Sequence, residues 1–525
     1  MTQPAKYQKS LLLVFGLISM VFLVVYRHNL NAPDTFNYLF IAEELIKGQF
    51  YDAISGHWGM LGPILLAPLL ALGIEGVLAF KILNWLVGLV LFSLFLNLLG
   101  RLNLGNWIYW ISAIVVMPVI INMSMMLTSD LLMITFGFWY FSLVSDPLFF
   151  DSEKACRKAG LAGGFMYLSK GYGLPFFLAH FLVLHLAVFL FRKRLGIPVN
   201  GKILKTYFRG LLTFFLVALP LVLALSVKFG GFTISTAGKY NLALSGPERS
   251  GLQVTKNELV DPGTKYTKLW AYEEPATFVN AWSPFGSQEA FSIYQKQLSI
   301  NAWSIYYIPM IRDLGFIFAL LVGGILLWRI NLDPLERYLL LSSLLAVLIF
   351  TGGYGLLIVR PRYLWFDFLL LMPMVWLSLK IISSKVNLDI VRFWTVCVGV
   401  LVLVNTYDEF GYRTAHKAFF EQLVKTEQQI PDELLKGKNV AIIDIPKEQH
   451  LMEADAYLWY KKRFKFLGQP FAETILEEGL SPLKAFPVDY FMLWQHDDLA
   501  ETVFRYEEIV FEDEILDLKI YKLSD

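Results

Sequence analysis

Runs of roughly 17–25 apolar residues, the length that crosses the hydrocarbon core of a bilayer as a helix, recur about eleven times along this chain. A backbone surrounded by lipid must satisfy its own hydrogen bonds, so each such run has to be helical. The candidate spans lie near residues 11–26, 77–99, 107–122, 126–144, 159–174, 175–191, 207–227, 314–328, 338–358, 363–379 and 390–405. Composition agrees, with 56% of the 525 residues hydrophobic and 17% charged, against about 25% charged in soluble domains. The fold class expected is an α-helical polytopic membrane protein carrying a small α/β domain. The stretch 58–73, WGMLGPILLAPLLALG, is apolar but short and broken by prolines. It reads as interfacial or re-entrant rather than spanning.

Loop charges orient the spans. Lys6 and Lys9 precede the first run, and Tyr26-Arg27-His28 follows it in place of a small-residue cleavage site, so it reads as an uncleaved span. With the N-terminus inside, the inner loops hold Arg101, then Lys154, Arg157 and Lys158, then Arg192-Lys193-Arg194 with Lys202 and Lys205. Arg329 and Arg337 follow, then Lys380 and Lys385. That is the positive-inside pattern, and it requires residues 159–191 to be two spans, interrupted at Lys170, Gly171, Gly173 and Pro175. A bacterial inner membrane with a cytoplasmic N-terminus and an extracytoplasmic C-terminal domain fits. An endoplasmic-reticulum membrane with a luminal domain reads the same. A net charge of +1 implies no attraction to nucleic acid, and two distant cysteines, Cys156 and Cys397, indicate no disulfide framework.

The chain divides into a membrane module over 1–405 and a soluble domain over 406–525. In the module, 28–76 forms a first outer loop and 228–312 a large one, rich in Tyr, Trp, Gly and Pro and too long for a simple connector. In the soluble domain, NVAIIDIP reads as a buried strand and KEQHLMEADAYLWYKKRF as a helix. VDYFMLW reads as a strand, and RYEEIVFEDEILDLKIYKL as two more.

In this topology ionisable residues collect at the outer ends of the spans. Asp34 follows the first. Asp130 sits with Ser129 in the turn MSMMLTSDLLM, Lys170 in MYLSKGYGLPFF, and Arg360 and Arg362 in YGLLIVRPRYLWF. An ionisable group beside hydrocarbon is costly and is a functional candidate by default. Two carboxylates and three cations at one membrane face suit transfer of a sugar from a lipid phosphate. Arginine and lysine hold the phosphate and stabilise its charge as it departs, while a carboxylate takes the proton of the attacking hydroxyl.

Each residue also has a structural reading. Asp34 fits the N-cap of a short helix ending at Gly48, and Asp130 with Ser129 fits the cap of the fourth span. Lys170, Arg360 and Arg362 fit interfacial anchors. Glu43 and Glu44 read as the solvated face of the short helix. His57 beside Trp58 fits interfacial packing, or a metal site with Asp34 and Asp130. Trp270, Trp282, Trp303, Tyr306 and Tyr307 suit sugar stacking or a membrane-interface belt equally.

The stretch PDTFNYLFIAEELIKGQFYDAISGHWGMLGPILLAPLLALG resembles the first outer loop of membrane glycosyltransferases of the GT-C fold. Within these it is most similar to the protein O-mannosyltransferase and aminoarabinose-transferase superfamily, whose donors are dolichyl- or undecaprenyl-phosphate sugars. Asp34, Tyr38, Gly62, Pro63 and Pro68 match that loop. Ser129 and Asp130 resemble the family's second acidic turn, Lys170 and Gly171 its L-T-K-G segment, and Arg362 and Tyr363 its outer R-x-Y element. The likeness covers residues 10–190 well and 340–380 loosely, and Thr35 stands where some members have a glutamate after the aspartate. It implies inverting hexosyl or pentosyl transfer from a polyprenyl-phosphate donor to a glycan, lipid or protein acceptor, with Asp34 as general base and Asp130 beside it. Lys170, Arg360 and Arg362 would bind the donor phosphate, and Tyr38, His57 and Tyr363 the substrate. Some relatives bind a divalent metal near these acids; Asp34, Asp130 and His57 are the candidate ligands here, and the sequence does not require one. A transporter or flippase of a lipid-linked glycan, or a non-catalytic polymer-assembly subunit, is the competing reading. The clean middles of the spans and the absence of visible half-repeats weigh against transport.

Overall fold

The computed structural model describes residues 4–30, 32–102, 104–195, 197, 203–246, 274–277, 282–383, 388–443, 449–468, 475–477, 479–481, 486–495 and 497–523. Lys202, Lys385 and Trp270 lie outside them, as does much of the loop 228–312. Among the described residues, nine helices are long and apolar enough to cross a membrane. They are Tyr7–Val25, Gly76–Leu102, Asn106–Met125, Gly173–Leu195, Ile203–Phe229, Pro309–Leu327, Pro334–Gly355, Pro361–Ile382 and Arg392–Gln429. The other two expected spans are helices too, but Asp130–Val144 has 15 residues and Glu153–Ser169 has 17. At 1.5 Å per residue they reach only about 22–26 Å. The second is also polar in its first turns, with Glu153, Lys154, Arg157 and Lys158. The break expected near Lys170 is present, one helix ending at Ser169 and the next starting at Gly173. Pro175 does not break the new helix because it falls in the first turn, where its missing N–H has no intrahelical partner to lose. The short helix Leu61–Ala71 fills the proline-broken stretch.

Side-chain patterning sorts the helices between lipid and protein. Every residue from Phe366 to Leu379 is buried, Asp367 among them with the Thr351 hydroxyl donating to it, as befits a largely apolar helix at the centre of the bundle. The helix Ile203–Phe229 instead leaves Leu212, Phe215, Leu216, Leu219 and Leu223 uncovered, a stripe for acyl chains. Its opposite side meets Glu153–Ser169 at very close range: a Cβ on Gly160 would lie 2.1 Å from the Gly210 carbonyl oxygen. Small residues let membrane helices approach until their backbones touch. On Gly76–Leu102, Lys81 is wholly buried, and its ammonium donates to the carbonyls of Tyr26, Arg27 and Asn29. It thereby satisfies carbonyls around the C-terminus of the first helix that no intrahelical N–H reaches.

The C-terminal domain is a five-stranded sheet of β1 (Asn439–Ile443), β2 (Lys465–Gly468), β3 (Tyr490–Trp494), β4 (Glu508–Asp513) and β5 (Leu518–Lys522), in the order β2-β1-β3-β5-β4. β1 pairs in parallel with β2 and β3, and the β3–β5 and β5–β4 pairs are antiparallel. The helix Gln449–Lys462 connects β1 to β2, and its Asp455 accepts the Trp494 indole N–H at 2.7 Å. Residues 444–446, expected to extend the first strand, and 447–448, expected to open the helix, lie outside the described residues. β2 follows the expected helix directly and was not anticipated from the sequence.

This domain docks onto the helix Thr35–Ile46, with the Phe36 ring 5.3 Å from Tyr460 and 6.0 Å from Tyr457. The docking corrects the reading of Glu43 and Glu44 as a solvated face. Glu43 takes hydrogen bonds from Arg463 and from the Tyr460 hydroxyl, and Glu44 is buried with Lys47 3.1 Å away. A soluble domain supplied from some 420 residues downstream covers what would otherwise be a water-facing side.

Candidate active site

Asp34 precedes the helix Thr35–Ile46, yet its side chain makes no capping hydrogen bond. Its carboxylate turns to Arg362, with Nη2 to Oδ2 at 2.6 Å. Arg362 lies in the single 3₁₀ turn Pro361–Leu364, which sets it at the mouth of the central helix. Its Nε faces Asp130 Oδ2 at 3.5 Å. Asp130 opens the helix Asp130–Val144 and is buried, and the Lys170 ammonium donates to its Oδ1. Lys170 stands in the gap between two helices, 3.8 Å above the Tyr363 ring, a cation–π contact. Tyr363 in turn stacks on Tyr354 at 4.8 Å. The result is an alternating row, Asp34, Arg362, Asp130 and Lys170, assembled from four separate segments. The capping and anchoring readings of these four residues give way to ion pairing.

Tyr38 lies one turn beyond Asp34, and its hydroxyl is 2.7 Å from Ser129 Oγ, next to Asp130. Burial pushes its phenol well above the usual range. His57 stands edge-on to Trp58 and Tyr240, at 4.5 and 5.3 Å between ring centres. Among the described residues its buried Nδ1 has no hydrogen-bond partner, and burial lowers its pKa to about 4, leaving it neutral near pH 7. Gly59 passes so near the neighbour of Lys170 that a Cβ there would lie 1.7 Å from the Ser169 carbonyl oxygen. The segments that carry Gly56, Thr236 and Glu274 are also tied together. The Gly56 N–H and the Thr236 hydroxyl both donate to Glu274, and the Thr236 N–H donates to the Gly56 carbonyl at 2.8 Å. Burial raises the Glu274 carboxyl pKa. Sequence reasoning missed Glu274, which stands in an irregular loop with no periodic pattern around it.

Asp34, Tyr38, His57, Asp130, Lys170, Arg360, Arg362 and Tyr363 all line one cavity of about 1110 Å³. All eight residues singled out from the sequence therefore converge. Arg360 is exposed at the rim, and among the described residues it pairs with no carboxylate. The cavity extends to residues the sequence did not flag, including Asn122, Tyr354, Asn405 and Arg413. Arg413 donates to Asn122 Oδ1 at 2.7 Å, and its signal was an arginine close behind the last apolar run. Of the loop aromatics, Tyr307 reaches the cavity, Trp282 donates to the Leu242 carbonyl at 2.7 Å, and Trp303 and Tyr306 are exposed.

Asp34 and Asp130 already face cations, and among the described residues no three His, Cys, Asp or Glu side chains gather to hold an ion. What the row can do is present two carboxylates, each paired with a cation, beside aromatic rings that line a space large enough for a sugar and a phosphate.

No protein-family model and no curated protein matches the sequence. Solved structures do. ArnT from Cupriavidus metallidurans bound to undecaprenyl phosphate superposes with a TM-score of 0.52 at 12% identity, over 97% of this chain and 97% of that one. The Archaeoglobus fulgidus oligosaccharyltransferase, in complex with zinc and sulfate, superposes with a TM-score of 0.53 at 12% identity, over 94% of this chain and 69% of that one. At such identities the likeness speaks for architecture, and that architecture, a multi-pass bundle with a docked soluble domain, is the GT-C fold.

Proposed function

We propose that this chain transfers a sugar from a polyprenyl-phosphate donor to an acceptor hydroxyl at the extracytoplasmic face of a bacterial inner membrane, with inversion. The observation that carries the reading is the Asp34–Arg362–Asp130–Lys170 row on the wall of a single cavity. The fold shared with ArnT, whose structure holds undecaprenyl phosphate, supports the donor class. Asp34 accepts the proton as the acceptor oxygen attacks the anomeric carbon. The bond from that carbon to the phosphate oxygen breaks, and its electron pair leaves on the phosphate. Arg360 at the rim meets the donor phosphate, and Arg362 and Lys170 stabilise the charge that develops on it. Asp130 holds both cations in place. Tyr38, neutral His57 and Tyr363 contact the sugar by hydrogen bonds and stacking.

The test is turnover of purified protein in nanodiscs on a panel of polyprenyl-phosphate sugars. Release of polyprenyl phosphate by wild type, with a loss of about 10²-fold or more in Asp34→Asn, is the expected result. Equal activity in Asp34→Asn removes Asp34 as the base, and transport of intact lipid-linked sugar without turnover overturns the reading.

A further inference from the structure

The helix Thr35–Ile46 is pinned at both ends. Near Asp34, the Thr35 hydroxyl donates to the Leu127 carbonyl at 2.9 Å and Tyr38 bonds Ser129, both in the turn that delivers Asp130. Two turns further on, Glu43 receives Arg463 Nη2 on both carboxylate oxygens, at 2.8 and 2.6 Å, and the Tyr460 O–H at 2.6 Å. The Arg463 guanidinium also lies 4.5 Å from the Tyr460 ring centre, which holds the two donors together. Lys461 adds a bridge to Glu75, 2.9 Å away at the far end of the same outer loop.

A second observation is independent of these contacts. Arg463 follows the last residue of the helix Gln449–Lys462 and has φ of +56°. Glycine takes this left-handed position at a helix end without penalty, whereas a residue with a Cβ is strained there. Strained backbone persists where something else gains from the side chain, and this side chain is the one that reaches Glu43.

We infer that Arg463, Tyr460 and Glu43 form a latch by which the C-terminal domain positions the helix that carries Asp34. They are positioning residues. This rests on the role proposed for Asp34. The latch fixes the axial position and rotation of a helix that the base immediately precedes and whose first turn carries Tyr38.

The test uses the full-length protein in nanodiscs with Arg463→Gly, Glu43→Gln and the double variant. Arg463→Gly relieves the backbone strain while releasing the latch, so the domain stays folded. Hydrogen–deuterium exchange over Thr35–Ile46 is expected to quicken about tenfold or more, the effect of losing a charge-assisted hydrogen bond. Exchange within Gln449–Lys462 stays unchanged, and the double variant is no worse than the worse single one. In turnover, kcat falls about tenfold with donor KM unchanged. Unchanged exchange over Thr35–Ile46 in both single variants overturns the latch, and faster exchange with unchanged kcat overturns its positioning role. Should wild type turn over no donor, the reading of Asp34 fails, and exchange still decides whether the latch exists.

Discussion

Arg362 bridges Asp34 and Asp130 with one planar group that turns a different nitrogen to each. A guanidinium presents Nη2 to Asp34 at 2.6 Å and Nε to Asp130 at 3.5 Å. A lysine ammonium carries all its donors on one nitrogen and lacks this two-nitrogen fork. At 2.6 Å and an effective dielectric of about 20, the Asp34 pair attracts by about 6 kcal/mol before desolvation is counted. Desolvation cancels most of that, and the side chains are 24% and 20% exposed, so a net worth of about 2 kcal/mol is the reasonable expectation. In Arg362→Lys, kcat/KM for release of polyprenyl phosphate is therefore expected to fall about 30-fold. Arg362→Gln should do worse, because it leaves Asp34 with no cation, a loss of about 3–5 kcal/mol, and should lower thermal stability as well. Initial rates over a range of donor concentrations separate kcat from KM. Activity of Arg362→Lys within about threefold of wild type would mean that charge alone matters and that the two-carboxylate bridge is incidental.

Two further expectations concern the loop around His57. Burial holds this imidazole near 4, against 6.5 for an unperturbed histidine. Between those values the unfolded chain binds more protons, so folded stability falls as pH drops from about 6.5 to about 4. His57→Gln should lose less stability than wild type between pH 7 and pH 5 in thermal unfolding, and equal losses would refute the burial argument. Gly59→Ala forces a Cβ into the Ser169 carbonyl, whereas a Cβ at Gly62 meets nothing nearer than Tyr38 Cδ1 at 3.9 Å. The first should cost about 1–3 kcal/mol and lower turnover by displacing Lys170, the second almost nothing. Identical melting and activity of the two variants would show that the close approach is not fixed.

The helices and the five charged cavity residues were legible for the same reason, whereas Tyr38 and Tyr363 were singled out by the family resemblance. A bilayer penalises polar groups strongly enough that an Asp34, Asp130, Lys170 or Arg362 at the end of an apolar run stands out by itself. Span length was less legible. Asp130–Val144 is shorter than the run 126–144 that announced it, because residues 126–129 form a turn, and Glu153–Ser169 is displaced from the run 159–174, starting earlier on polar residues and ending before Lys170. Pairings were not legible at all. Nothing local to Glu43 points to Arg463, and a charged side chain on an amphipathic helix reads as solvated until a partner from another domain covers it. Glu274 and Arg413 escaped notice for the same reason, since their roles come from segments brought near only by the fold.

The three carbonyls held by Lys81 have a further consequence for the membrane. A single helix in lipid adjusts to bilayer thickness by tilting or sliding along the membrane normal. The first helix of this protein cannot slide without tearing the segment at its end from a buried ammonium fixed on a neighbouring helix, and a buried polar group left unsatisfied costs about 1–3 kcal/mol. The height of Asp34 above the acyl chains is thus set by protein. Where the host membrane is thicker or thinner, the lipid around this corner has to stretch or compress.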